Sequence, residues 1–195
     1  MSVLVPIVEG YAELESVPVL LRRLSADRGR HCVTIGKPVR VGRCKVVKSG
    51  ELERAIELAV RRPKGCDAII VILDADDDCP KELAPGLLER AHHTNPHVPI
   101  SVVLAKSEFE AWFLGSLESL RGTRGIVDTA ESPATPEDIR GAKEFLGRQM
   151  ETGRTYLEVD DQPALAARFD FTVARALCPS LDKFMRDVER ILDAL

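Results

Sequence analysis

Two apolar runs in this chain end in acid, a pattern suited to holding a cation. Residues 3 to 8, "VLVPIV", lead into Glu9 and Gly10, and "AIIVIL", residues 68 to 73, runs straight into "DADDDCP". Ligands of an open parallel sheet bind beyond the carboxyl ends of its strands. If the two runs are neighbouring strands, Glu9, Asp74 and Asp76 converge on one edge, with Asp77 and Asp78 near. Carboxylates packed this closely repel one another, so some must be protonated or a cation must neutralise them. A hard oxygen site of one or two carboxylates that keeps its waters suits Mg2+, and Mn2+ by similarity. Asp74 and Asp76, two apart in a turn beyond the strand, can both point at one ion. The aspartates alone are equally what a solvated βα turn carries; the second acidic strand end, at Glu9, favours the site.

The elements that must position these residues follow from periodicity. After residues 3 to 8, Leu14, Val17, Leu21 and Leu24 have helical spacing. Pro18 lacks the amide that a helix interior needs, which places the start near Ser16 as N-cap. Pro6 suggests an edge or a bulge. A weaker strand spans 31 to 35, and "VRVGRCKVV" offers another. Ser49 is expected to cap a helix with Leu52, Ile56, Ala59 and Val60 on one face and Pro63 as its stop. The β-branched run 68 to 73 reads as a strand covered on both faces. Leu83, Leu87 and Ala91 follow as a helix that Pro85 breaks or delays, and "PISVVLA", 99 to 105, as one more buried strand. Beyond Ser107 the pattern is helical: Phe109, Phe113, Leu117 and Leu120 share a side. A loop over 121 to 135 precedes three more helices, one capped by Thr135 with Pro136 first, one holding Leu165, Phe169 and Val173, and one from Ser180 to Leu195. The expectation is an α/β fold with a mostly parallel four- or five-stranded sheet and flanking helices over 1–115, and a helical C-terminal extension, 116–195, packed on that core.

Other polar residues have competing explanations. Ser107, Glu108, Phe109 and Glu110 fit a capping box, which accounts for Glu110 without chemistry. Lys106, at the end of the last strand, either meets a phosphate or is solvated. Trp112 belongs with its core-like neighbours. His92, His93 and His97 lie near Cys79, but Pro96 forbids the helical spacing that a zinc site needs there. No phosphate-loop or dinucleotide fingerprint occurs.

Hydrophobic residues make up 45% and charged residues 30%, and no apolar run approaches the roughly 18 residues that span a bilayer. No charged region precedes the first apolar run, so a cytoplasmic location is expected. Five scattered cysteines without a CxxC pair read as reduced thiols. The net charge of −4 gives no global attraction to nucleic acid, yet Arg28, Arg30, Lys37, Arg40, Arg43, Lys45 and Lys48 run without an acid among them. That stretch either tracks a phosphate backbone or is a solvated strand pair.

"VPIVEGYAE", with "LDADDD" about sixty residues on, resembles the TOPRIM domain of topoisomerases, bacterial primases and OLD-type nucleases. Its marks are Glu-Gly after the first strand and Asp-x-Asp after the third. "EFEAWFLGSL", "QPALAARFDFTVARAL" and "CPSLDKFMRDV" resemble a family of short, stand-alone TOPRIM-like bacterial proteins without assigned function. The resemblance implies a TOPRIM-like, Rossmann-like core in which Glu9 acts as general acid or base or helps hold metal. It implies that Asp74 and Asp76 bind Mg2+ or Mn2+, with Asp78 close, and that Glu13 is the second glutamate of nuclease-type members. A turn of helix would set Glu13 on the face of Glu9; a helix starting near Ser16 leaves it in a loop.

A metal held by such aspartates polarises a phosphoryl oxygen and activates water, which suits phosphodiester hydrolysis. Lys106, Arg40 and Arg43 are the candidate substrate contacts. Topoisomerase chemistry needs a tyrosine nucleophile on another domain, and neither Tyr11 nor Tyr156 has that context; primase parts have little room. The expectation is therefore a Mg2+-dependent nuclease acting on nucleic acid in defence or DNA repair. The alternative is a non-catalytic module that binds metal and nucleotide or nucleic acid and works with a partner protein.

Overall fold

The computed structural model describes residues 2–195, except for the side chains of Arg43 and Cys44. Strands β1 (Val3–Val8), β2 (Thr34–Ile35), β3 (Val39–Arg40), β4 (Ala68–Asp74) and β5 (Ile100–Ala105) form one sheet, and every pairing in it is parallel. The order is β2-β1-β4-β5, with β3 also pairing β1 on the side of β2. The fold is α/β with a Rossmann-like parallel sheet between helical layers.

Alternating side chains divide the core. Val5, Ile7, Ile69, Val71 and Leu73 face α3 (Glu51–Val60) and α4 (Pro80–Thr94). Leu4, Val8, Ile70 and Ile72 face the other layer, where α1 (Glu13–Asp27) and α9 (Pro179–Ala194) lie. On that side a single buried cluster runs from Leu4 through Trp112 to Phe184 and Leu192, crossing residue 115 without a break. It also takes in α5 (Ala111–Leu114), α6 (Ala142–Arg148), α7 (Glu158–Ala166) and α8 (Phe171–Leu177). Among the described residues, no helix is long and apolar enough to cross a membrane.

Pro6 sits in an interior strand rather than at an edge, and the ladder explains why that is tolerated. Ser2, Leu4 and Val8 accept bonds from Thr34, Gly36 and Val41, so even-numbered residues of β1 face β2 and β3. Pro6 therefore faces the interval between β2 and β3, where a missing amide costs the sheet no bond.

Several expected boundaries differ. Helix α1 begins at Glu13, not Ser16, and carries Pro18 in its interior. The expected strand over residues 39 to 47 is only β3, followed by the short α2 (Arg43–Val46). Gly50, not Ser49, caps α3, because Glu53 accepts the Gly50 amide at 2.8 Å. The helix expected from Thr135 is a single 3-10 turn, Pro136–Asp138, then an extended Ile139 and a left-handed Gly141 before α6. Its acid has a different use: the Glu137 carboxylate accepts the Ser180 amide at 2.8 Å and caps α9 from outside.

Arg23 ties α1 to the C-terminal helices. Its guanidinium donates to the carbonyls of Ala166 (2.7 Å) and Phe169 (2.9 Å) and lies 4.1 Å from the Phe171 ring centre. Only a planar fork serves both carbonyls and the ring. Arg23→Ala is expected to lower unfolding free energy by about 2 kcal/mol in denaturant titration, with Arg23→Lys recovering less than half of it.

Candidate functional site

Strand register sets the site. Val8 of β1 pairs with Ile72 of β4, so the two strands finish almost level. Glu9 and Asp74 then meet at the carboxyl edge, and Glu9 Oε2 accepts the Asp74 amide at 3.2 Å. Asp74 Oδ1 accepts the Phe109 amide at 2.8 Å, which turns this carboxyl inward beneath the segment after β5. The early start of α1 brings Glu13 to the same place: its carboxylate accepts the Gly10 amide, and the residue is only 5% exposed. Gly10 gives this carboxylate room, since a Cβ at that position would lie 2.8 Å from Glu13 Oε2 and push it aside.

A fourth acid joins them. Glu110 is wholly buried, and its Oε1 accepts the Tyr156 hydroxyl at 2.9 Å and the Gln162 amide at 3.1 Å. Its Oε2 has no hydrogen-bond partner. Ser16 donates to Gln162 at 2.5 Å, which extends the network to α1. The capping box expected of Glu110 does not form: α5 begins only at Ala111, with no side-chain cap.

Charge in this pocket is unevenly matched. Burial pushes the Asp74 carboxyl well above the usual range, and Glu110, Glu13 and Glu9 add to that; Lys143 opposes it. Burial likewise raises Glu110, against the pull of Lys143, Gln162 and Tyr156. Glu13 is pushed up to about 7 by burial, although its bond from the Gly10 amide opposes the rise. Burial alone would lower the Lys143 ammonium, but Glu110 and Glu158 outweigh it and raise it; Glu158 lies 3.1 Å away.

Asp76 and Asp78 lie elsewhere. With Asp77 they are exposed and line a cleft of about 420 Å³ together with Lys106, Glu108, Glu137, Asp138 and Arg140. Asp76 has a left-handed backbone (φ 51°), as does Ser107 (φ 61°), whose carbonyl accepts the Asp76 amide at 3.0 Å. Two such residues joined by one bond store backbone strain beside the acidic edge. Lys106 pairs with Asp138 at 2.5 Å, a contact that raises the lysine and holds Asp138 below the usual carboxylate range.

The structure thus brings Glu9, Glu13 and Asp74 together, and sets Asp76, Asp78 and Lys106 in the adjoining cleft. Among the described residues, no three Asp, Glu, His or Cys side chains are arranged to hold a metal as they stand. Arg40 belongs to the edge, donating to the Glu9 carbonyl at 3.3 Å. The side chain of Arg43 lies outside the described residues. The basic stretch is not one surface, because Arg28 and Arg30 pair with Glu189 and Asp193 of α9 while Arg40 lies beside the end of β1.

A family model described as a domain of unknown function (DUF4276) matches residues 8–189. The chain belongs to the DUF4276 family. No curated protein and no solved structure matches it. The four acids Glu9, Glu13, Asp74 and Glu110 all fall inside the DUF4276 match.

The sequence assigns Glu110 only a capping role and Tyr156 no role, and it does not mark Gln162 or Lys143, although Glu110 and Gln162 carry a signal. Glu110 is followed by Phe113, Leu114 and Leu117, and Gln162 by Leu165, Ala166 and Phe169, each at helical spacings of three, four and seven. A polar residue on a buried stripe needs a partner there.

Burial of Glu13 makes stability depend on pH. Its folded pKa of about 7 exceeds the unfolded 4.5, so its contribution is complete below 4.5 and is lost as pH rises through 7. In metal-free buffer the unfolding free energy should fall across this window by up to about 3 kcal/mol from this group. Glu13→Gln should flatten that slope, as read by denaturant midpoints at several pH values.

Proposed function

We propose that the acidic edge is the active site of a Mg2+-dependent phosphodiester hydrolase, a TOPRIM-like nuclease. The observation that carries this reading is the unpartnered, wholly buried Glu110 oxygen beside Asp74, Glu13 and Glu9 at the carboxyl edge of a parallel sheet. A desolvated carboxylate excess of this kind is relieved by a divalent cation. Mg2+ retains several waters and needs only one or two carboxylates, so the lack of a ready three-ligand cage among the described residues is compatible with it. Asp74 and Glu9 would hold the ion, with Asp76 and Asp78 reaching the substrate side of the cleft. When bound, it supplies Lewis acidity and an activated water.

The chain's own groups have distinct parts. Glu13, poised at about 7, can take or give a proton near neutral pH. Glu9, partly exposed next to it, faces the entering substrate. Lys106, across the cleft and already bound to a carboxylate, can exchange Asp138 for a phosphate oxygen. Lys143 offsets part of the buried negative charge.

The second reading is a module that binds metal and nucleic acid without turnover, acting with a partner protein. The cleft favours it in one respect: Lys106 and Arg140 are both engaged by acids of the chain, Asp138 and Asp77.

The test is hydrolysis of labelled DNA and RNA, single- and double-stranded, with Mg2+ or Mn2+. Glu9→Gln and Asp74→Asn are each expected to slow cleavage at least about a hundredfold. Cleavage unchanged by both substitutions refutes the site, and metal binding without any cleavage favours the module.

A further inference from the structure

Tyr11 leaves 65% of its surface in water, more than any other large hydrophobic side chain among the described residues. It stands two residues beyond Glu9, in the turn between β1 and α1. The Arg40 guanidinium carbon lies 4.0 Å from the centre of its ring, and Arg40 Nη2 donates to the Tyr11 hydroxyl at 3.2 Å. Nη1 of the same group donates to the Glu9 carbonyl at 3.3 Å. The backbone beneath is fixed, since β3 pairs with Val8 and the Val41 amide donates to the Val8 carbonyl at 2.8 Å.

The other tyrosine shows what this ring is not used for. Tyr156 commits its hydroxyl to buried Glu110, whereas Tyr11 adds nothing to the core. A cation and an aromatic ring at an exposed site gain only about 0.5–1 kcal/mol from each other. What the pair creates is a guanidinium held over an exposed phenol ring and tied through the Glu9 carbonyl to the acidic edge. Aromatic rings and arginine planes at a backbone-binding groove are the surfaces on which unpaired bases stack.

We propose that Tyr11 and Arg40 form a stacking platform for an unpaired nucleobase, so that the ligand of this edge is single-stranded nucleic acid. The identity of the ligand rests on the phosphodiester reading; the platform rests on its own geometry. A base stacked here sets its adjoining phosphate toward Glu9 and Asp74, while a duplex keeps its bases in its own stack and gains nothing from the ring.

The test is equilibrium binding of a fluorescein-labelled single-stranded oligonucleotide and a blunt duplex of equal length, by anisotropy at low salt, once in EDTA and once in Ca2+. The single strand should bind more tightly, and Tyr11→Ala should weaken it about tenfold while leaving duplex binding unchanged. Tyr11→Trp should retain affinity, and the indole so introduced should be quenched by the bound strand; Trp112 is wholly buried and remains unquenched. Tyr11→Ala binding as tightly as wild type overturns the platform, as does preference for the duplex or no oligonucleotide binding in either buffer. Tyr11-dependent binding without cleavage upholds the platform and removes the nuclease. Cleavage whose substrate affinity ignores Tyr11→Ala does the reverse.

Discussion

The level finish of β1 and β4 is the constraint from which the rest of the site follows. Because Val8 stands opposite Ile72, Glu9 reaches the Asp74 amide, and two acids from residues 65 apart in sequence share one edge. β1 is apolar on both faces, so its register rests on the residue-by-residue pairing with β4, from Leu4 opposite Ala68 to Val8 opposite Ile72, and that pairing also places the acids. Pro6 does not disturb this register, since its missing amide falls where the neighbouring strand is interrupted.

Holding four carboxyls at that edge is costly. Burial raises Asp74, Glu110 and Glu13, and one half-buried lysine answers them. The network from Ser16 through Gln162 and Glu110 to Tyr156 meets part of the need, yet leaves one Glu110 oxygen without a partner. The surrounding cluster of aromatic and aliphatic residues, Trp112, Phe113, Phe169 and Phe184 among them, supplies the burial that offsets this cost. Left-handed Asp76 and Ser107 add strain at the same edge. The proposed cation would relieve this uneven charge.

The sheet was legible in the sequence because its strands are β-branched runs bounded by turn residues, and the apolar positions of β1, β4 and β5 are buried as their patterns imply. Glu9 and Asp74 were legible as strand ends. The start of α1 was not: Pro18 points to a later start, yet tertiary packing of Val17, Leu20 and Leu21 sustains a helix across its missing amide. Glu110 was hidden by a local motif, since Ser-Glu-Phe-Glu reads as a cap while the fold uses the second glutamate for contacts 46 and 52 residues away. Asp74 and Asp76 look like one pair in sequence, but Asp76 takes a left-handed backbone and lines the exposed cleft, while the Asp74 carboxyl accepts the Phe109 amide beneath the segment after β5. The basic stretch likewise looks continuous until α9 claims its first two arginines.

The central claim is that the buried acidic edge is completed by a divalent cation, and linkage tests it directly, because a ligand that binds only the folded state stabilises it in proportion to the logarithm of its concentration. The measurement is the unfolding midpoint of the wild type and of Asp74→Asn across a Mg2+ titration at neutral pH and constant ionic strength. The account predicts a midpoint that climbs with Mg2+ in the wild type and stays level in Asp74→Asn. A wild-type midpoint indifferent to Mg2+, or an equal climb in both proteins, would contradict it.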